Sequence, residues 1–460
     1  MSLLSLAGLR ARAERLRPTY EGWLRRLVEI PSVSSDPARR ADVARAAGAA
    51  AELVERLGGR ARVVRTGGHP LLVGELAGPP GAPCLTLYNH LDVQPAQAEA
   101  EGWRSDPFRL VKRSGRYFGR GTTDDKGPAL AALFGAAAAR AAGVSATLKL
   151  LWETEEEIGS PHFEATLRRL GRSVATDAVV ISDSSWLRRG TPTVTAGLRG
   201  WQGFSFSLET AAHDAHSGIV GGAARNPLAE LMDLACALHD PRSGRVRVPG
   251  FYADVLRPTR KEREGFRRSG FSVEAFRRDN GLRRLRTRDR LEVMERLWAQ
   301  PTFEVHGLVG GHQGPGLKSV VPWRAELKAS CRLAPGQDPA RVAALVAAFA
   351  RKHNPDVVVE VDPGGSPASR WEPEGPLAAA VKAAVKFAFG REPAFVRDGG
   401  TIGTVGSMQR VLGCPVGFLD LSLPDHGYHA PNENFEWEQA AGGMAAFARL
   451  LEEWGSARRR

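Results

Sequence analysis

Short apolar runs that stop at a metal-binding side chain constrain this chain more than any other feature. Residues 85–88 lead into Asn89 and His90, residues 148–152 into Glu153 and on to Glu157, and residues 179–181 into Ser182 and Asp183. Brief apolar stretches of this kind read as strands buried on both faces, which is the habit of a parallel sheet covered by helices. In open α/β sheets, ligands collect beyond the carboxyl ends of the strands, so residues far apart in sequence meet there. The pattern predicts one site, not scattered surface charge. Asp124, in a glycine-rich loop, and His429, in a polar loop near the C-terminus, join the same set.

At 460 residues the chain has room for one large core and a second domain. Its 43% hydrophobic and 25% charged residues are ordinary globular usage and exclude a fibre or a disordered chain. Cys84, Cys236, Cys331 and Cys414 are too far apart for a zinc-finger or disulfide framework, which predicts a reduced, cytoplasmic setting. The N-terminus reads as an amphipathic helix and not a signal peptide, and the Ala-rich stretch 129–142 is too short and weakly apolar to span a bilayer. A net charge of +12 raises the question of a polyanionic partner. However, arginine is spread along the whole chain, and the densest run, 257–290, also carries Glu262, Glu264, Glu274, Asp279 and Asp289. That is a solvated helical face, so neither nucleic acid nor membrane is expected as a partner.

Up to about residue 195, helical and strand patterns alternate: helices over 4–27, 41–57 and 125–142, strands over 61–64, 71–76, 85–88 and those ending at 152 and 181, a βαβ-type series. Beyond Gly197 the period changes. Residues 203–208 alternate as a half-exposed strand, followed by the loop HDAHSGIVGG, a helix over 227–238, a strand over 325–333, a helix over 339–352 and a strand over 357–361. A strand, helix, strand, strand, helix, strand module with an antiparallel sheet accounts for this region, interrupted by an insertion at 241–301. The remainder rejoins the first part with a helix over 377–389, a strand over 415–419, a polar loop over 425–433 and a closing helix over 436–454. The expected fold is α/β: a mostly parallel sheet flanked by helices forms a catalytic domain from 1–195 and 369–460, into which 196–368 inserts an α+β lid and dimerisation domain with an antiparallel sheet.

Two imidazoles and several carboxylates suit borderline or hard divalent ions, and two such ions about 3.5–4 Å apart can clamp one water. One carboxylate must then bridge, and Asp124 and Asp125 lie side by side in YFGRGTTDDKG. His90 and Asp92, two residues apart, lean to the same side of an extended backbone, so Asp92 can accept the second imidazole proton. Glu156 and Glu157 point differently, which suits one to bind metal and the other to act as general base.

The strings YNHLDVQPA, GRGTTDDKGP, EEIGS, ISDSSWL, DAHSG and HGYHAPNEN resemble, in order, the motifs of the metallopeptidase family of carnosine dipeptidase, carboxypeptidase G, acetylornithine deacetylase, succinyl-diaminopimelate desuccinylase and aminoacylase. They span residues 88–434 and are most similar to the dipeptidase branch. The resemblance implies that His90 and Asp183 hold one ion, that Glu157 and His429 hold the other, and that Asp124 bridges. It makes Glu156 the base, Asp92 the carboxylate behind His90, and the Asp124–Asp125 peptide cis. Zinc is favoured on affinity, with manganese and cobalt as alternatives. The implied activity is hydrolysis of dipeptides or short peptides to release a C-terminal amino acid, by a water held between two ions whose proton passes to Glu156 and on to the leaving amine. The alternative is deacylation of N-acyl amino acids on the same site. His216 resembles the lid histidine that stabilises the oxyanion, in relatives often from the partner of a homodimer. Arg332 resembles an arginine that clamps the substrate carboxylate. Asp398 and Gly400 stand where dipeptidase relatives receive a free amine with a Glu and a Gly, and Asp398 is one methylene shorter.

Overall fold

A computed structural model of the chain describes residues 3–457. Its central sheet has six strands in the order Arg60–Val64, Leu71–Leu76, Thr147–Glu153, Cys84–His90, Ala178–Ile181 and Val416–Phe418. The last four run parallel, and the short apolar runs are where they were expected. Arg60–Val64 and Leu71–Leu76 depart from the βαβ series, because they pair antiparallel with each other and the second pairs antiparallel with Thr147–Glu153. The connection over 65–70 is too short for a crossover helix, so the first two strands can form only a hairpin.

Helices close both faces. The helix Lys126–Ala141 is buried along nearly its whole length, and its alanines let the closing helix Trp437–Ala457 come close. At Gly135 the approach is so tight that a Cβ would strike the Met444 carbonyl. The amphipathic helix Leu6–Val28, capped by Ser5, buries Tyr20, Leu24, Leu27 and Val28 against the same core.

The strand Thr193–Leu198, wholly buried, pairs with Ala394–Asp398 and Ser369–Arg370 in a three-stranded sheet that the sequence did not announce. Past Leu198 the chain enters a second core. There Thr302–Gly310, Arg324–Leu333, Gly200–Glu209 and Val358–Val361 form an antiparallel sheet in that order, and Pro227–Leu238 and Pro339–His353 pack on it through Leu231, Leu234 and Val346. Both helices begin with a side-chain cap followed by proline at the first turn, Asn226 with Pro227 and Asp338 with Pro339.

The insertion is helical. Arg260–Arg268, Val273–Asp279 and Arg290–Trp298 surround a small core of Phe266, Phe271, Val293, Met294 and Trp298, closed by Val396 from the strand Ala394–Asp398. The insertion therefore leans on the first core as well as on the lid sheet. Glu262 fixes this contact by pairing with Arg397, a buried arginine, and with Arg370.

Candidate metal centre

The central strand Cys84–His90 lies between Thr147–Glu153 and Ala178–Ile181, in a register that sets His90 beside Glu153 and Tyr88 beside Ile181. Glu156, Glu157 and Asp183 follow immediately beyond the two neighbouring strands, so all three emerge at the same edge of the sheet as His90. Asp124 arrives from the loop before the helix Lys126–Ala141, and His429 from the loop after Val416–Phe418. His429 adopts a left-handed backbone, φ 53°, which few residues other than glycine accept.

The Asp124 carboxylate stands between two imidazoles: one oxygen is 2.9 Å from His90 Nε2 and the other 2.9 Å from His429 Nε2. Asp183 approaches His90 Nε2 at 3.6 Å, and Glu157 approaches His429 Nε2 at 3.2 Å. The donors fall into two triads, His90 with Asp124 and Asp183, and Asp124 with Glu157 and His429; within each triad the ligand atoms lie within 4.8 Å of one another. The Asp124–Asp125 peptide is cis.

Charge in the cluster is strongly one-sided. Burial, opposed by His90 and reinforced by Asp124 and Glu157, pushes Asp183 up to about 7. Burial likewise raises Glu156 and Glu157 above the ordinary carboxylate range. Hydrogen bonds to Asp124 and Glu157 drive His429 up to about 11. Carboxylates crowded out of water repel one another and attract protons or cations. A pair of divalent ions fits this donor set in both charge and chemistry.

Asp92 lies behind His90 and has further partners as well. The His90 Nδ1 partner is the Asp92 backbone carbonyl, at 3.0 Å, with the nearer carboxylate oxygen at 3.5 Å. The carboxylate also accepts the backbone N–H groups of Glu156 and Glu157, at 3.2 and 3.1 Å. A fully buried carboxylate takes the strongest donors in reach, and two amides opening a helical turn are such donors. Asp92 thus orients the glutamate pair as much as the histidine.

Three other groups went unread in the sequence. Glu433 accepts the amides of Gly121, Thr123 and Asp124 and pairs with the buried Arg120 at 2.8 Å, so it moulds the loop that presents Asp124. Gln94 donates its backbone N–H and its side-chain amide to Glu157, at 3.1 and 2.7 Å. Asn89 donates to Asp125, the buried acid next to Asp124, at 2.7 Å. Gln94 and Glu433 lie inside the quoted motifs, but their partners are set by three-dimensional contacts that spacing does not reveal.

Arg332, Asp398 and Gly400 gather elsewhere, around the segment 398–401. Arg332 donates to Thr401 Oγ1 at 2.8 Å, Thr401 donates to the Arg199 carbonyl at 2.7 Å, and the Gly400 amide donates to Asp398 at 2.7 Å. His216 is exposed, accepts the Gly218 amide at 2.9 Å, and makes no hydrogen bond or ion pair with the cluster.

A model of the peptidase family M20/M25/M40 matches residues 86–453. The chain belongs to that family. It is therefore an enzyme that hydrolyses amide bonds. It is 31% identical to the Beta-Ala-His dipeptidase of Rattus norvegicus over 94% of this chain and 92% of the relative. It is 30% identical to the Cys-Gly metallodipeptidase of Saccharomyces cerevisiae over 97% of this chain and 98% of the relative. The crystal structure of human carnosine dipeptidase 1 superposes with a TM-score of 0.86 at 30% identity, covering 98% of this peptidase and 99% of that chain. Among the described residues no helix is long and apolar enough to cross a membrane.

Proposed function

We propose that this peptidase cleaves dipeptides and short peptides to release the C-terminal amino acid, using two divalent metal ions. The observation that carries the reading is the Asp124 carboxylate shared between His90 and His429, which gives two three-donor sites a common ligand. His90, Asp124 and Asp183 would hold one ion, and Asp124, Glu157 and His429 the other. When bound, such a pair supplies Lewis acidity and a water acidic enough to ionise near neutral pH. Imidazole and carboxylate without thiolate favour zinc on affinity, with manganese and cobalt as alternatives.

Glu156 carries the proton, taking it from the attacking water and returning it to the leaving nitrogen. Asp92 holds the Glu156 amide and so aims the carboxylate. Arg332 supplies a planar fork for the substrate carboxylate, and Asp398 with Gly400 receives a free amine. A carboxylate at that point favours a charged amine over an acylated nitrogen, and the substrates in the names of both curated relatives carry a free amine. His216 is left to act from a partner subunit, in a homodimer built through the lid, where it would steady the oxyanion. The division into a catalytic domain, residues 1–195 and 369–460, and a lid domain, residues 196–368, belongs to the same proposal. The unpaired cysteines suit a reducing compartment such as the cytoplasm.

The test is hydrolysis by the metal-reconstituted chain of a panel holding Cys-Gly, β-Ala-His and other dipeptides beside N-acetyl and N-succinyl amino acids. Turnover of the free-amine dipeptides is expected. Activity confined to the acylated substrates would overturn the proposal.

A further inference from the structure

A large cleft lies away from the metal centre. It lies between the helical insertion and the lid strand Thr302–Gly310, and its volume is about 760 Å³. Six arginines line it, Arg199, Arg245, Arg257, Arg263, Arg286 and Arg296, against two glutamates, Glu295 and Glu304. Arg263 is matched by Glu295 at 2.8 Å and Arg296 by Glu292 at 2.9 Å. The other four make no ion pair among the described residues, although Asp398 and Glu304 lie close enough to Arg199 to act on its charge. Arg199 donates to the carbonyls of Gly399, Arg296 and Gln300, Arg286 to those of Pro241 and Arg242, and Arg245 lies over the Tyr252 ring.

On the outer faces of the insertion some arginines meet glutamates one helical turn away, as Arg268 meets Glu264 and Arg277 meets Glu274, whereas in the cleft several unpaired arginines face one concave space. Inside the cleft cationic charge is left over, and burial, helped by Arg332, lowers Arg199 to about 10. Apolar side chains line the cleft as well, Phe303, Val293 and Leu285 among them. A concave site of this volume, lined by apolar side chains and by arginines whose charge no carboxylate pairs, suits a small molecule with several oxyanion groups on an apolar body.

We propose that this cleft binds a small organic polyanion carrying two or more phosphate or carboxylate groups. Arg199 joins the cleft to the segment 398–401 through its bond to the Gly399 carbonyl, so occupancy is communicated to the segment next to Arg332. That coupling rests on the proposed substrate roles, whereas the binding itself does not.

The experiment is calorimetric titration of the full chain with ADP, pyrophosphate and citrate at moderate salt, repeated on Arg257→Gln/Arg286→Gln. Saturable binding that weakens at least tenfold in the variant, with an unchanged melting temperature and unchanged basal hydrolysis, is the expected result. Preference for ADP and pyrophosphate identifies a phosphate ligand, and preference for citrate a polycarboxylate. Absence of saturable binding overturns the proposal. So does binding that the substitutions leave intact, which is what chelation at the metal centre would give. Tighter binding of a short oligonucleotide, lost in the variant, would replace a small ligand with a nucleic acid. If binding is confirmed but KM for a dipeptide does not change with ligand, only the coupling fails.

Discussion

At the carboxyl edge of the parallel sheet, Asp124 and Asp183 are buried and Glu156 and Glu157 half-buried beside them, while in the insertion the arginines stand mostly in solvent. The two regions hold opposite charge by opposite means. Around the cluster acids are fixed by several partners from distant parts of the chain: Glu433 by three amides and a buried arginine, Glu157 by Gln94 and His429. In the insertion several charges are held by a pair one turn away on the same helix, as Arg268 with Glu264, and others have no ion-pair partner among the described residues. Buried charge that is densely bonded is costly to disturb, whereas exposed pairs contribute little. Precision at the site comes from the first arrangement, and the second leaves arginines free to meet a ligand.

The sharpest way to break this contrast is Glu156→Ala. It should lower kcat by about 10³-fold, within the span of general-base contributions, while metal analysis still finds two ions per chain. Full activity with metal retained would remove Glu156 as the base. Glu433→Ala strands Arg120 in the core and should cost about 3–4 kcal/mol by urea unfolding. Glu264→Ala, the equivalent deletion in the insertion, should cost less than about 1 kcal/mol; equal costs would erase the distinction. Arg332→Lys keeps the charge but loses the fork, and should raise KM for a dipeptide by roughly tenfold or more with little change in kcat.

The smallest effect concerns a half-exposed acid on the helix Phe163–Leu170. Arg410, then Arg168, hold Glu164 down at about 2. A carboxyl depressed in the folded state stabilises above its unfolded value and loses that contribution as pH falls through the folded one. Arg410→Gln should therefore cost about 0.5–1 kcal/mol at pH 7, after discounting for solvent, and nothing measurable near pH 2. A penalty independent of pH would assign the effect to packing.

What the sequence disclosed follows the same division. Strands 85–88, 148–152 and 179–181 were legible because burial on both faces forbids polar residues until the strand ends, and the candidate ligands sit at those ends. The antiparallel edge formed by Arg60–Val64 and Leu71–Leu76 was mistaken for part of the parallel series, since strand direction leaves little mark on so short a segment. Thr193–Leu198 was missed because its threonines and glycine hide a buried strand. The insertion was illegible because seven- to nine-residue helices rich in arginine carry too few apolar positions to establish a period. Asp92 was found but its principal partners were not, since two amides 64 and 65 residues away leave no trace in local spacing.

His429 and Glu433 share one loop close to the C-terminal end, and Glu433 moulds the Asp124 segment more than 300 residues upstream. A fragment that stops before this loop would lack both a proposed ligand and the group that shapes the segment presenting Asp124, so it could hold metal only through an incomplete set.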